Sequence, residues 1–142
     1  MTITVQPATV GEWPEIESLR RAYFEARNQP IQRRGDGTHW MVALDENDRV
    51  VGCYSYEDVP DLHQRWALDF YRRPGKVGRA ACAAMWRHLR AMTKYDDLRL
   101  AATVAPDNAA QLGAMERRGF RPVGIILLLE EDVPCPQPSP FR

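Results

Sequence analysis

Hydrophobic and polar positions along this chain alternate at two periods. Residues 2–6 alternate with β-branched side chains, Ile3 and Val5 sharing a face, and predict a first strand. Residues 7–11 break it. Over 12–27 the period lengthens, with Ile16, Leu19 and Tyr23 on one stripe at spacings of three and four. Pro14 falls near the start of that helix, where its missing N–H is harmless, and Glu12 and Glu15 suit its positive end. Residues 28–38 (NQPIQRRGDGT) read as a loop. Residues 39–44 and 49–56 read as two hairpin strands around the polar turn Asp45-Glu46-Asn47-Asp48. A polar connection at 57–63, containing Pro60, leads to a fourth strand at 65–72 (RWALDFYR). Residues 74–78 read as a glycine loop. The helix expected at 79–94 places Ala81, Met85, Leu89 and Met92 on one stripe. Residues 98–104 are small and apolar enough for a central strand. In the helix expected at 107–118, Asn108 and Gln111 are spaced for a capping box and Gly119 for a C-cap. Residues 120–131 read as a last strand. Pro134, Pro136, Pro138 and Pro140 make the C-terminal stretch unfit for a sheet ladder.

The order β-α-β-β-β-α-β-α-β predicts an α/β fold, a mixed central sheet with helices on both faces. A length of 142 residues fits one domain, assigned to 1–132, with 133–142 as a proline-rich tail. The longest apolar run, 123–129, is a strand's length, so no membrane partner is expected. The N-terminus lacks the basic-then-apolar layout of a secretory signal. Three cysteines (Cys53, Cys82 and Cys135) are odd in number and lack metal-type spacing, which points to a reduced, cytoplasmic setting. His39, His63 and His88 are equally scattered, and no metal is expected. Lys plus Arg and Asp plus Glu are both 19, giving a net charge of zero. Holding nucleic acid by bulk charge alone is therefore excluded.

The charge is nonetheless uneven. Residues 65–94 carry eight Lys or Arg and one acid, Asp69, a local net charge of +7. Arg87, Arg90 and Lys94 lie off the apolar stripe and read as a solvated face. Arg72, Arg73, Lys76 and Arg79 surround Gly75 and Gly78, where a strand feeds a loop that opens a helix. Free backbone N–H groups and the positive helix end suit an anion there.

A second informative stretch is 108–120, NAAQLGAMERRGF, in which an Asn opens a helix and Gly-Phe closes it. Together with the upstream run LDFYRRPGKVGRAACAAMWRHL, it resembles the GNAT superfamily of acyl-CoA N-acyltransferases, over about residues 40–129. The loop departs from the family pattern. Gly78-Arg79-Ala80 supplies the small residues, but Gly75 stands where Gln or Arg belongs. Shifting by two puts Val77, Ala80 and Cys82 in those roles. In either alignment small residues stand where a backbone approaches a phosphate.

The resemblance implies acetyl-CoA or another acyl-CoA as co-substrate and direct attack by a primary amine. The strand before the loop would splay from the next one and admit the pantetheine arm beside Phe70, Tyr71 and Arg72. Gly75, Lys76, Val77, Gly78, Arg79 and Ala80 would cradle the pyrophosphate, with Arg72, Arg73 or Lys76 supplying the missing cation. Asn108 would hold the cofactor or simply cap its helix. Asp69 is the favoured base, the competing reading being a carboxylate that points outward or pairs with a neighbouring Arg; Glu57 and Asp58 are alternatives that read first as a solvated turn. The family's usual acid, a Tyr seven residues after the Asn, is here Met115. Tyr71 is the substitute, or the thiolate leaves unassisted. Arg33 and Arg34 lie where the family builds part of its acceptor pocket; they read first as a solvated loop, and in the alternative would favour an acidic acceptor. Two further readings stay open: a GNAT-like binding or regulatory module without catalysis, and a short phage-type enzyme that modifies a nucleic-acid base. The second is compatible with 17 Arg against two Lys. The sheet also reads one strand short, which leaves an exposed edge or completion by a second copy in a homodimer.

Overall fold

A computed structural model of the chain describes residues 1–104 and 108–123. The backbone forms two compact units, Met1–Thr103 and a second beginning at Val104. The first holds a five-stranded sheet in sequence order: β1 (Thr4–Pro7), β2 (His39–Leu44), β3 (Val50–Val59), β4 (Gln64–Arg72) and β5 (Arg99–Ala102). The first three junctions are antiparallel and the last is parallel. The expected mixed α/β sheet is therefore present.

Strand alternation sorts the side chains onto two faces. Cys53 and its cross-strand partner Tyr71 point one way, and Tyr54 and its partner Phe70 the other. On the first face, helix α1 (Trp13–Ala26) buries Ile16, Leu19 and Phe24 against Val42, Val50, Cys53 and Tyr71. Burial of that kind contributes roughly 1.5–3 kcal/mol per large apolar side chain. Helix α2 (Gly75–Tyr95) covers the second face. There Phe70 stacks on Tyr54, with ring centroids 5.2 Å apart, and on Trp86 at 4.1 Å. Gly52 lets α2 come close, since a Cβ there would lie 3.0 Å from Met85 Cε and 3.3 Å from Ala81 Cβ.

Most boundaries differ from the expectation by a few residues, β5 running over Arg99–Ala102 rather than 98–104, and three of the differences have a local reason. A 3-10 turn, Val10–Glu12, precedes α1, and the Glu12 carboxylate accepts the Thr9 N–H at 2.8 Å. β3 continues to Val59 because Asp58 has a partner across the ladder. The buried Arg65 guanidinium donates to Asp58 at 2.7 and 3.0 Å and to Asp96 at 2.7 Å, and lies 4.7 Å from the Tyr56 ring centre. α2 starts at Gly75 rather than at residue 79, so the expected loop is the helix's own first turn.

The second unit contains α3 (Ala109–Arg117). Asn108 Oδ1 accepts the Gln111 N–H at 3.1 Å, so the expected cap is present. Gly119 has φ +94°, Phe120 N–H donates to Met115 O at 3.0 Å, and Gly119 N–H donates to Glu116 O at 2.9 Å. These bonds form a Schellman closure at the expected glycine. Of the expected last strand, residues 120–123 carry no strand structure. The remainder, Cys135 and the proline-rich tail lie outside the described residues.

Gly52→Val is expected to destabilise the protein by about 1–3 kcal/mol, because the added carbons meet Met85, Ala81 and the Tyr71 carbonyl in a packed layer. Urea denaturation measures this, and an unchanged midpoint would contradict the close helix approach.

Candidate functional site

The site begins where the sheet opens. Among the described residues β4 and β5 pair from Gln64↔Arg99 to Ala67↔Ala102 and no further, while β4 runs on to Arg72. The cause lies on the other side of β4. Between Ser55↔Asp69 and Tyr56↔Ala67 the β3–β4 register slips, leaving Leu68 as an extra residue. Such a bulge increases the local twist and ends regular pairing. Arg73 N–H donates to Val51 O at 2.9 Å, toward β3. By strand alternation the Phe70 and Arg72 amides face the side that β5 has left.

The open stretch leads directly into the start of α2. Pro74 is the N-cap residue and provides no side-chain cap, so the N–H groups of Gly75, Lys76 and Val77 are left for an outside acceptor. Two glycines make this turn possible. Gly75 has φ +83°, and a Cβ on Gly78 would stand 1.5 Å from the Arg73 carbonyl oxygen. Arg72, Lys76 and Arg79 are exposed around the turn, with Val77 and Ala80 half-buried beside it. Arg73 is not free in the same way, because its Nε donates to Val50 O at 2.7 Å. The Phe70 ring packs on the α2 face, so only its backbone is offered to the opening.

Asp69 sits on the opposite face, buried and saturated. Arg34 grips it with two bonds, Nε to Oδ2 at 2.8 Å and Nη2 to Oδ1 at 2.9 Å. Ser55 Oγ donates to Oδ2, and the Tyr71 hydroxyl donates to Oδ1 at 2.7 Å. Burial opposes the charge, but the Arg34, Ser55 and Tyr71 bonds outweigh it and hold the carboxyl below its usual range. A carboxylate with every approach taken is a poor proton acceptor. The Arg34–Asp69 pair ties the loop 28–38 to β4. Tyr71 is tied down as well. Burial first, and then Asp69, push its phenol strongly upward, and it packs on Tyr23 at 5.1 Å. Its hydroxyl proton is directed at Asp69.

On that same face a cleft of about 510 Å³ is lined by Trp13, Glu17, Arg20, Arg33, Arg34 and Trp40, with Ile31. Arg20 is buried against Glu17 at 3.0 Å. Trp13 and Trp40 meet edge to face at 5.5 Å. Glu57, two residues past Ser55 on β3, leans over the loop: a Cβ on Gly37 would lie 3.3 Å from its Oε1. Asp58 by contrast is held by Arg65. Arg33 and Arg34 both line this cleft. The tryptophans and Arg20 were missed, because their convergence requires α1 to lie across the start of β2.

The first unit thus brings together Asp69, Tyr71, Phe70, Arg72 and residues 75–80. Asn108 and Met115 belong to the second unit, where the first caps α3 and the second is buried. Among the described residues no cluster of His, Cys, Asp or Glu can hold a metal ion, and no helix is long and apolar enough to cross a membrane. The arrangement can receive an elongated ligand with an anionic end at α2 and hydrogen-bonding groups along β4, and a second molecule on the α1 face.

Residues 2–121 match the family model described as an acetyltransferase (GNAT) domain. No curated protein sequence gives a significant match. Solved structures share the fold at low identity. A probable acetyltransferase is 18% identical with a TM-score of 0.71, covering 93% of this chain and 100% of its own. The aminoglycoside 6′-N-acetyltransferase of Acinetobacter baumannii is 11% identical with a TM-score of 0.64, covering 94% and 100%. A transcriptional regulator from Bacillus halodurans C-125 is 11% identical with a TM-score of 0.72, covering 91% and 99%.

Asp69→Asn is expected to cost about 3 kcal/mol at neutral pH, because it leaves the Arg34 charge without its partner. The folded-state pKa lies below the ordinary 3.8, so the contribution is complete above that value and is lost as pH falls through the lowered one. Denaturation midpoints of wild type and variant should therefore converge below pH 3.8. A gap that stays constant across the acid range would show that the Asp69 charge is not what stabilises the loop.

Proposed function

Because this chain belongs to the GNAT family of acetyltransferases, we propose that it transfers an acyl group, acetyl in the first instance, from acyl-CoA to a primary amine. The observation that carries this reading is the end of the β4–β5 ladder at Ala67/Ala102, directly before the uncapped first turn of α2. The residues present fit the co-substrate. The N–H groups of Gly75, Lys76 and Val77 and the charges of Lys76 and Arg79 hold its diphosphate, and Arg72 adds a third cation. Glycine at 78 lets this turn sit against the Arg73 carbonyl.

Bound acyl-CoA supplies a thioester whose acyl carbon is open to attack by the amine nitrogen, the C–N bond forming as the C–S bond breaks and the electron pair leaving with sulfur. The chain's own residues prepare that exchange. The Phe70 and Arg72 amides donate hydrogen bonds along the opening, and one directed at the thioester oxygen stabilises the charge that grows there. Arg34 and Asp69 fix the wall between the opening and the cleft on the α1 face. Glu57 takes the proton the amine releases, directly or through water, because it lies on that face and, unlike Asp69, is exposed. With Tyr71 tied to Asp69, the thiolate leaves unassisted, as its moderate basicity allows.

Acetyl-CoA at 100 times its dissociation constant should stabilise the protein by about 2.7 kcal/mol, seen as a higher melting temperature. Glu57→Gln should keep that stabilisation and lower kcat about 100-fold or more against a panel of primary amines. Absence of any acyl-CoA stabilisation would overturn the acyl-transfer reading and leave a domain with the family's fold and another role.

A further inference from the structure

We infer that the cleft on the α1 face selects an amine that carries both an anionic group and a flat apolar portion. This rests on the acyl-transfer reading for what happens to the amine, but not for the binding itself. The volume, about 510 Å³, lies in the range of small-molecule sites.

The charges in the wall decide the first requirement. Glu17 is neutralised by Arg20 at 3.0 Å, and Asp69, behind the wall, neutralises Arg34. Arg33 is left as the uncompensated charge, exposed on the loop and, among the described residues, without an ion-pair partner. Arg34 uses Nε and Nη2 on Asp69 and keeps its remaining guanidinium nitrogen, Nη1, for a ligand. Because Asp69 and its donors lock that guanidinium in place, its free edge costs little further ordering on binding. Two arginines lining one cleft, one fixed by Asp69 and one exposed, suit a carboxylate or a phosphate.

The tryptophans decide the second requirement. Trp13 is 39% exposed although it packs edge to face on Trp40. Arg20 lies 5.2 Å from the Trp40 ring centre and helps hold that indole. The pair forms a right-angled aromatic corner in a cleft that Ile31 also lines, which fits a ring or another flat apolar group. The amine of such a molecule is left toward β3 and β4, where Glu57 leans over Gly37.

The test uses the full chain and four primary amines: phenylalanine (ring and anion), 2-phenylethylamine (ring only), glycine (carboxylate only) and O-phosphoethanolamine (phosphate only). Binding is read without acetyl-CoA from quenching of the protein's tryptophan fluorescence, and transfer from kcat/KM with acetyl-CoA. Phenylalanine should exceed 2-phenylethylamine and glycine by about tenfold or more in both readouts. Arg33→Ala should bring the phenylalanine-to-phenylethylamine ratio close to one, and Trp13→Ala should do the same for the phenylalanine-to-glycine ratio. The order of glycine and O-phosphoethanolamine tells which anion the guanidinium pair takes. A preference for 2-phenylethylamine, or ratios that neither variant moves, would overturn the inference. Binding in the expected order with no transfer to any amine would uphold the cleft and reject acyl transfer. Transfer without preference among the amines would do the reverse.

Discussion

Parallel strands rarely stop pairing in mid-course, because each abandoned N–H and C=O must find another partner. Here, among the described residues, the ladder between β4 and β5 ends at Ala67/Ala102, and β4 continues paired with β3 on its other side. The extra residue Leu68 twists β4 at that point, so the opening is built into the register with β3. The rest of the site depends on it. The backbone groups beyond Ala67 are left with hydrogen-bonding capacity, and the chain then turns through Pro74 into a helix whose first amides are also unspent. The two faces of the same strand serve different purposes. The α2 end collects cations and bare amides suited to a diphosphate, while the α1 face carries the struts and the cleft suited to the second substrate.

The Arg34–Asp69 pair links those two halves. A buried carboxylate with an Arg, a Ser and a Tyr around it resists protonation and movement alike. Its worth lies in position more than in net stability, since buried pairs gain little over apolar packing once desolvation is counted. It holds a loop of low intrinsic order against a strand that borders the reacting groups. Glu57, on the same face, is exposed, whereas Asp69 is buried.

Much of this was legible in the sequence, and the boundary is instructive. The order of strands and helices came from periodicity. Asn108 with Gln111, and Gly119 with Phe120, were readable because caps are made by residues a few positions apart. Long-range geometry was not. Asp69 could be placed on the right strand, but its partner lies 35 positions away in a loop with no local signal. The glycines at 75 and 78 read as a loop, since glycine usually breaks helices. In the folded chain they start one, because the first turn must sit against a carbonyl that any larger residue would strike. Glu57 and Asp58 looked like a connection until Arg65 supplied the cross-strand charge that extends β3. The aromatic corner of Trp13 and Trp40 depends on how α1 crosses the sheet, which no short motif encodes.

Amide hydrogen exchange with and without CoA tests the central claim most directly, since it reads the backbone groups themselves. The account predicts new protection at Phe70, Arg72 and the first turn of α2, Gly75 to Val77, with β1 and β2 unchanged. Exchange at those amides that is the same with and without saturating CoA would contradict it.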